Sequence, residues 1–167
     1  MDIRESKLVL FSADLAGYTR ACAHHDALAI ARFLDPWYRE CARAITARGG
    51  RVVKYLGDAV LAVFPEDRAT DAIEVASALA GALREHRDPA WRVELGANIH
   101  LAVVAEGEYG PDGDRRYDVL GSGVNHLFLM GGGAGVRISE PVFRQLPDAA
   151  RGAWTKHRPP ATYTLRC

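Results

Sequence analysis

Apolar and polar positions alternate along the chain in blocks of distinct period. Leu8-Val9-Leu10-Phe11 is a short continuous apolar run that gives way to Asp14 and Gly17, the pattern of a buried strand over 7–14 ending in a carboxylate. From 26 to 48, Ile30, Leu34, Tyr38, Cys41 and Ile45 recur at helical spacing. Pro36 predicts a kink or a fresh helix start there, and Gly49-Gly50 predicts the end. Two Val- and aromatic-rich runs, 51–56 and 59–64, flank Gly57-Asp58 and predict a hairpin, although the usual tight-turn order is Asp-Gly. Ala69, Ala72, Ile73, Ala76, Leu79, Ala80 and Leu83 mark a second amphipathic helix, closed by Pro89.

Further on, 92–105 reads as a long strand, 107–115 as a Gly/Pro/Asp loop and 116–120 as a short strand. A helix over 124–130 is broken by Gly131-Gly132-Gly133. A strand at 136–139, a short helix at 141–146 and a last strand at 162–165 follow. Mixed helices and strands with several hairpins predict an α+β domain, a mostly antiparallel sheet with helices packed on it.

Composition narrows the choices. A chain of 167 residues fits one domain, 1–167, since domains commonly run ~100–150 residues. Its 21 basic and 21 acidic residues balance, so no net field draws it to nucleic acid or to an anionic membrane. The charged start, Asp2-Ile3-Arg4-Glu5-Ser6-Lys7, precedes too few apolar residues for a signal peptide or a membrane span, which predicts a cytoplasmic protein. Cys22, Cys41 and Cys167 lack C-x-x-C spacing, which excludes a zinc cluster of that type and a disulfide framework. Nearly all the basic residues are arginine; the lysines are Lys7, Lys54 and Lys156.

Two carboxylates at strand ends carry the first candidate chemistry. If the first strand lies beside the hairpin, Asp14 and Asp58 converge, and paired hard oxygen ligands suit Mg²⁺ or Mn²⁺. Read one at a time, Asp14 caps the following helix and Asp58 is a turn residue.

Three segments in order add context. Phe11-Ser12-Ala13-Asp14-Leu15-Ala16-Gly17-Tyr18-Thr19 resembles the F-x-x-D-[IL]-x-G-[FY]-[TS] segment of class III nucleotide cyclases. The run from Gly49-Gly50 through Lys54 to Gly57-Asp58 resembles their G-G-x-x-x-K-x-x-G-D hairpin. Asp118-Val119-Leu120-Gly121-Ser122-Gly123-Val124-Asn125 resembles their D-x-x-G-x-x-V-N segment. The resemblance covers about residues 7 to 166 and implies the family's ferredoxin-like α+β fold.

It also implies a site. Asp14 and Asp58 match the pair that holds two metal ions, Mg²⁺ or Mn²⁺, with the Leu15 carbonyl as a further ligand. The backbone of Gly17, Tyr18 and Thr19 matches the loop that receives the triphosphate, a task for converging N–H donors. Lys54 and Asp118 match the base-reading pair. Independently of the family, Lys only donates and ionised Asp only accepts, which suits adenine, with its accepting ring nitrogens and donating amine. Asn125 matches the residue that positions ribose and the reacting phosphate, and Lys156 resembles a phosphate-contacting lysine. The resemblance further implies a homodimer, with Asp14 and Asp58 from one subunit facing Lys54, Asp118 and Asn125 from the other.

One position departs from the family. Four residues after Asn125 those enzymes carry an Arg that stabilises charge on the transferring phosphate, and here Leu129 stands there. Arg115, Arg116, Arg137 and Lys156 are the cations available to compensate, or else solvated surface charges. Other motifs fail: Gly131-Gly132-Gly133 lacks the Lys of a P-loop, and the Asp112/Asp114/Asp118 series has Tyr117 and Gly123 where a calcium loop needs Gly and Glu. Adjacent His24 and His25 diverge on a helix, and His100 and His126 read as structural. The leading expectation is conversion of ATP to 3′,5′-cyclic AMP and pyrophosphate. The alternatives are a cyclase-like nucleotide-binding module that does not turn over, and a cyclase for another nucleotide.

Overall fold

The computed structural model describes residues 2–85, 88–157 and 161–165; Cys167 falls outside them. The elements are β1 (Arg4–Ala16), α1 (Tyr18–Cys22), α2 (Ala27–Ala47), β2 (Arg51–Leu56), β3 (Ala59–Pro65), α3 (Ala69–Glu85) and β4 (Glu94–Tyr109). They continue with β5 (Arg116–Leu120), α4 (Ser122–Leu129), β6 (Gly135–Ser139), α5 (Glu140–Gln145), α6 (Asp148–Arg151), β7 (Trp154–Lys156) and β8 (Thr162–Leu165).

The strands form one sheet ordered β2-β3-β1-β4-β6-β8-β7, with β5 attached to β4 alone. Its first four strands, linked β1-α2-β2-β3-α3-β4, have the split β-α-β connectivity of a ferredoxin-like core. Among the described pairs only β4–β6 is parallel, in agreement with the expected antiparallel sheet.

Alternation along the central strands explains why their apolar runs are continuous. Val9, Phe11, Ala13 and Leu15 of β1 join Val60, Ala62 and Phe64 of β3 in the main core, with Leu34, Trp37 and Ile45 of α2 and Val75 and Leu79 of α3. Leu10, Leu61 and Val63 point to the other face, where Val119 of β5 and Leu127 of α4 cover them. Both faces of the centre are therefore buried. The second is thinly roofed: Phe128 and Leu129 of α4 and Leu120 of β5 remain exposed.

Several expectations change. Helix α2 runs unbroken through Pro36, because the buried stripe of Leu34, Trp37, Cys41, Ala44 and Ile45 continues across it and tertiary packing outweighs the missing hydrogen bond. β4 extends to Tyr109 rather than ending at 105, since β5 pairs with Ala105 through Tyr109. The helix expected at 124–130 begins at Ser122. Three short elements, α1, α6 and β7, carry no periodic pattern of their own. Among the described residues, no helix is long and apolar enough to cross a membrane.

Candidate functional site

The β1–β3 register pairs Ala13 with Val60, so the strand end carrying Asp14 lies against the turn carrying Asp58. In that turn Leu56 pairs with Ala59 and Gly57 alone has positive φ, 63°, the pattern of a turn with Gly at its first central position. The Gly-Asp order is thus the correct chemistry for this turn, not a weakened Asp-Gly.

Side chains of α2 fix the turn from behind. Trp37 Nε1 donates to the Asp58 carbonyl at 2.9 Å, and the Tyr38 hydroxyl donates to the Gly57 carbonyl. Asp58 is aimed in front by the Leu15 amide, which donates to its Oδ2 at 2.9 Å. Burial raises the Asp14 carboxyl above the usual range, the Asp58 charge raises it further, and Arg137 opposes both. Beside Asp14, a Cβ on Gly96 would come within 2.3 Å of its Oδ1, so only glycine leaves the carboxylate room there.

Like charges held together with hard oxygen donors fit a divalent cation, which would relieve their repulsion. Among the described residues no third His, Cys, Asp or Glu joins them. Two carboxylates are a donor set that a Mg²⁺-type site could complete with carbonyl, water or phosphate oxygens.

Gly17, at φ 92°, opens α1, and its Cα faces the Arg92 carbonyl. The Tyr18 ring turns away to stack near Trp91, which is itself sandwiched between His25 and Phe33 at centroid distances of 4.1 Å. Gly17 and Thr19 are exposed. With the Tyr18 ring packed, the segment offers chiefly backbone to a ligand.

A second group forms on β2 and β5. Lys54 Nζ lies 2.6 Å from Asp118 Oδ2, and Asp118 Oδ1 accepts from the Val119 amide at 2.8 Å. A bulge makes this possible. Val52 pairs with Ala62 and Lys54 with Leu61, leaving Val53 as the extra residue, so Arg51 and Lys54 share a face that a regular strand would split.

Asn125 is exposed on the first turn of α4, and Leu129, 74% exposed, stands one turn on. The buried Asn98 amide donates from Nδ2 to the carbonyls of Leu127 and Gly131, closing the far end of α4. Its signal in the sequence was a polar residue inside an apolar strand. Trp37 and Tyr38 gave no such signal, since their partners are main-chain atoms of a distant turn.

The remaining cations separate. Arg137 is close enough to act on Asp14, but its guanidinium is bonded to the carbonyls of Gly132, Gly133, Ala134 and Gly135. Arg115 donates to the Glu108 carbonyl and Arg116 to Asp114. Lys156 lies on β7 at the opposite sheet edge from the hairpin, 5.9 Å from the Tyr163 ring centre. Two clefts, of about 530 and 780 Å³, are lined by none of the candidate residues.

A ferredoxin-like sheet with carboxylates on β1 and the following hairpin, and a Lys–Asp pair between β2 and β5, defines a class: domains built like nucleotide cyclases. The family model for the adenylate and guanylate cyclase catalytic domain matches residues 4–150, and the chain belongs to that family. It is 27% identical over 154 residues to an adenylate cyclase of Anabaena cylindrica, covering 84% of this chain and 31% of that protein. The fold superimposes on the guanylyl cyclase Cya2 with a TM-score of 0.85 at 20% identity, covering 99% and 93% of the two chains. On the adenylyl cyclase CyaB from P. aeruginosa the TM-score is 0.84 at 17% identity, covering 100% and 97%.

Proposed function

We propose that this chain is a cytoplasmic cyclase that converts ATP to 3′,5′-cyclic AMP and pyrophosphate, using two Mg²⁺ or Mn²⁺ ions at sites shared by two identical chains. The observation that carries the reading is the Lys54–Asp118 pair, a donor and an acceptor held 2.6 Å apart. Lys54 donates to an adenine ring nitrogen and Asp118 accepts from the exocyclic amine; guanine presents the opposite pattern along the same edge.

Asp14, Asp58 and the Leu15 carbonyl hold the ions, which when bound supply charge neutralisation at the phosphates and a more acidic ribose 3′-hydroxyl. Amides of Gly17, Tyr18 and Thr19 receive the triphosphate. Asn125 orients the ribose so that its 3′ oxygen bonds to the α-phosphorus as the bond to pyrophosphate breaks, the hydroxyl proton passing to solvent. Lys156 adds a contact to the phosphates. Sharing between chains is the arrangement that the family resemblance implies for these residues. Two-fold pairing of identical chains makes two equivalent sites.

Purified protein with Mn²⁺ and each of the four nucleoside triphosphates is expected to yield cyclic AMP from ATP. A mixture of Asp14→Ala and Lys54→Ala proteins is expected to regain partial activity. Leu129 favours a second reading, a module that binds ATP without turnover; bound ATP with no cyclic product selects it. Cyclic product from another triphosphate alone selects the third.

A further inference from the structure

We infer that the buried carboxylate of Glu106, acting through the Tyr117 hydroxyl, holds the Lys54–Asp118 pair in register, making Glu106 and Tyr117 positioning residues for base selection. The inference rests on the reading of Lys54 and Asp118 as the base-reading pair.

Among the described residues β5 pairs with β4 only, and no backbone ladder joins it to β2. The sheet brings β2 and β5 near one another, and the direct links across the seam between Lys54 and Asp118 are made by side chains. One such link is the pair itself, with side chains 39% and 25% exposed. Partly exposed ion pairs are weak, and this one must open to admit a base, so it cannot also hold the seam.

The second link can. Arg51 places its guanidinium 3.5 Å from the Tyr117 ring centre, on the face that the Val53 bulge gives it in common with Lys54. The Tyr117 hydroxyl donates to Glu106 Oε2 at 2.7 Å. Glu106 is 6% exposed, and its other oxygen accepts from Ser6 Oγ at 2.6 Å and Arg4 Nε at 3.0 Å. Burial raises the Glu106 carboxyl, but bonds from Ser6, Tyr117 and Arg4 outweigh it and bring the group below its ordinary range.

An ionised carboxylate in such a place is tolerated only while its donors stay put. Tyr117 is thereby pinned at both ring and hydroxyl, one residue before Asp118. The same hub ties the base-reading pair to Arg4 and Ser6 at the start of β1, the far end of that strand from Asp14.

The test measures dissociation constants for ATP and GTP with Mn²⁺, together with Tm, in the full chain and three variants. Lys54→Ala is expected to abolish the preference for ATP. Tyr117→Phe keeps the ring under Arg51 and removes only the hydroxyl. It is expected to lower the ATP-over-GTP preference about 10-fold, the scale of one hydrogen bond to a charged group, with a lower Tm from the donor withdrawn from Glu106. Glu106→Gln is expected to act in the same direction with a lower Tm.

If Lys54→Ala loses the preference while Tyr117→Phe keeps it within twofold, the positioning role is overturned and the base-reading pair stands. Equal weakening of both nucleotides in Tyr117→Phe also overturns it, as a merely structural effect. If Lys54→Ala itself keeps the preference, the base reading falls and this inference with it.

Discussion

Leu129→Arg tests the proposed chemistry at its weakest point. Leu127 is buried and the Asn98 amide fixes the end of α4, so the outward direction of residue 129 is set by the fold. Four residues from Asn125 is one helical turn, a displacement of about 6 Å along the face that presents Asn125. On the proposed reading, a guanidinium there would lie where charge develops on the transferring phosphate. Removing one preorganised donor from such a site typically costs ~10²–10³ in rate, so restoring one in an unoptimised setting is expected to raise cyclisation of ATP at least ~10-fold. ATP affinity should hold within about twofold, because the gain belongs to the transition state. At 74% exposure the substitution buries nothing in a single chain, and stability should change by no more than about 0.5 kcal/mol. Single-turnover cyclic AMP formation with saturating ATP and Mn²⁺, read beside sedimentation, separates the outcomes. An unchanged rate in intact dimers refutes the argument. Monomers instead of dimers place Leu129 in the dimer contact, where an unpaired charge is costly.

Asp14→Ala and Asp58→Ala should each weaken Mn²⁺-dependent ATP binding at least ~10-fold, as loss of a metal ligand does; Asp14→Ala should keep or raise Tm, because it removes a carboxyl that burial already disfavours. Parallel loss of folding in calorimetry would reassign Asp14 to the scaffold. Gly17→Ala should cost about 1–2 kcal/mol from its φ of 92°, and its Cβ, 2.8 Å from the Arg92 carbonyl, should displace the turn and weaken ATP binding in titration calorimetry. His100, lowered to about 4 by burial and by neighbouring His126, stays neutral in the fold where it would ionise once unfolded. Its contribution is complete above pH ~6.5 and is lost as pH falls toward 4, on the order of 1–3 kcal/mol. Denaturant titrations of His100→Phe should show a flatter pH profile across that window, and an unaltered profile would count against the buried neutral imidazole.

Periodic burial was readable wherever it was strong. The run at 8–11, the stripes of α2 and α3 and the hairpin expected at 51–56 and 59–64 all form as the spacing predicts. No fresh helix starts at Pro36, because local propensity is outweighed by the core that α2 fills. The first residues of β1 are polar on both faces and showed no strand pattern; they are strand because Val104, Ala105 and Glu106 of β4 pair with them. At the site, residue types were legible and their supports were not. Lys54 and Asp118 were paired through a motif, but the bulge that aims Lys54 depends on register with β3. Glu106 looks like a surface acid until its three donors are seen arriving from β1 and β5.

The bulge at Val53 has a genetic corollary. Losing one residue from a strand ordinarily reverses which side chains face inward for the rest of its length. Here deleting Val53 leaves Arg51 opposite Val63, Val52 opposite Ala62 and Lys54 opposite Leu61, which is the register of an unbroken ladder. The partners and faces of Arg51, Val52 and Lys54 survive such an in-frame loss, while the extra local twist and the packing of Val53 against the second core are lost. A shortened chain of this kind would keep the sheet register at some cost in melting temperature while turning Lys54 through a different angle, so that a null phenotype in a folded variant would indict the angle of one side chain, not the fold.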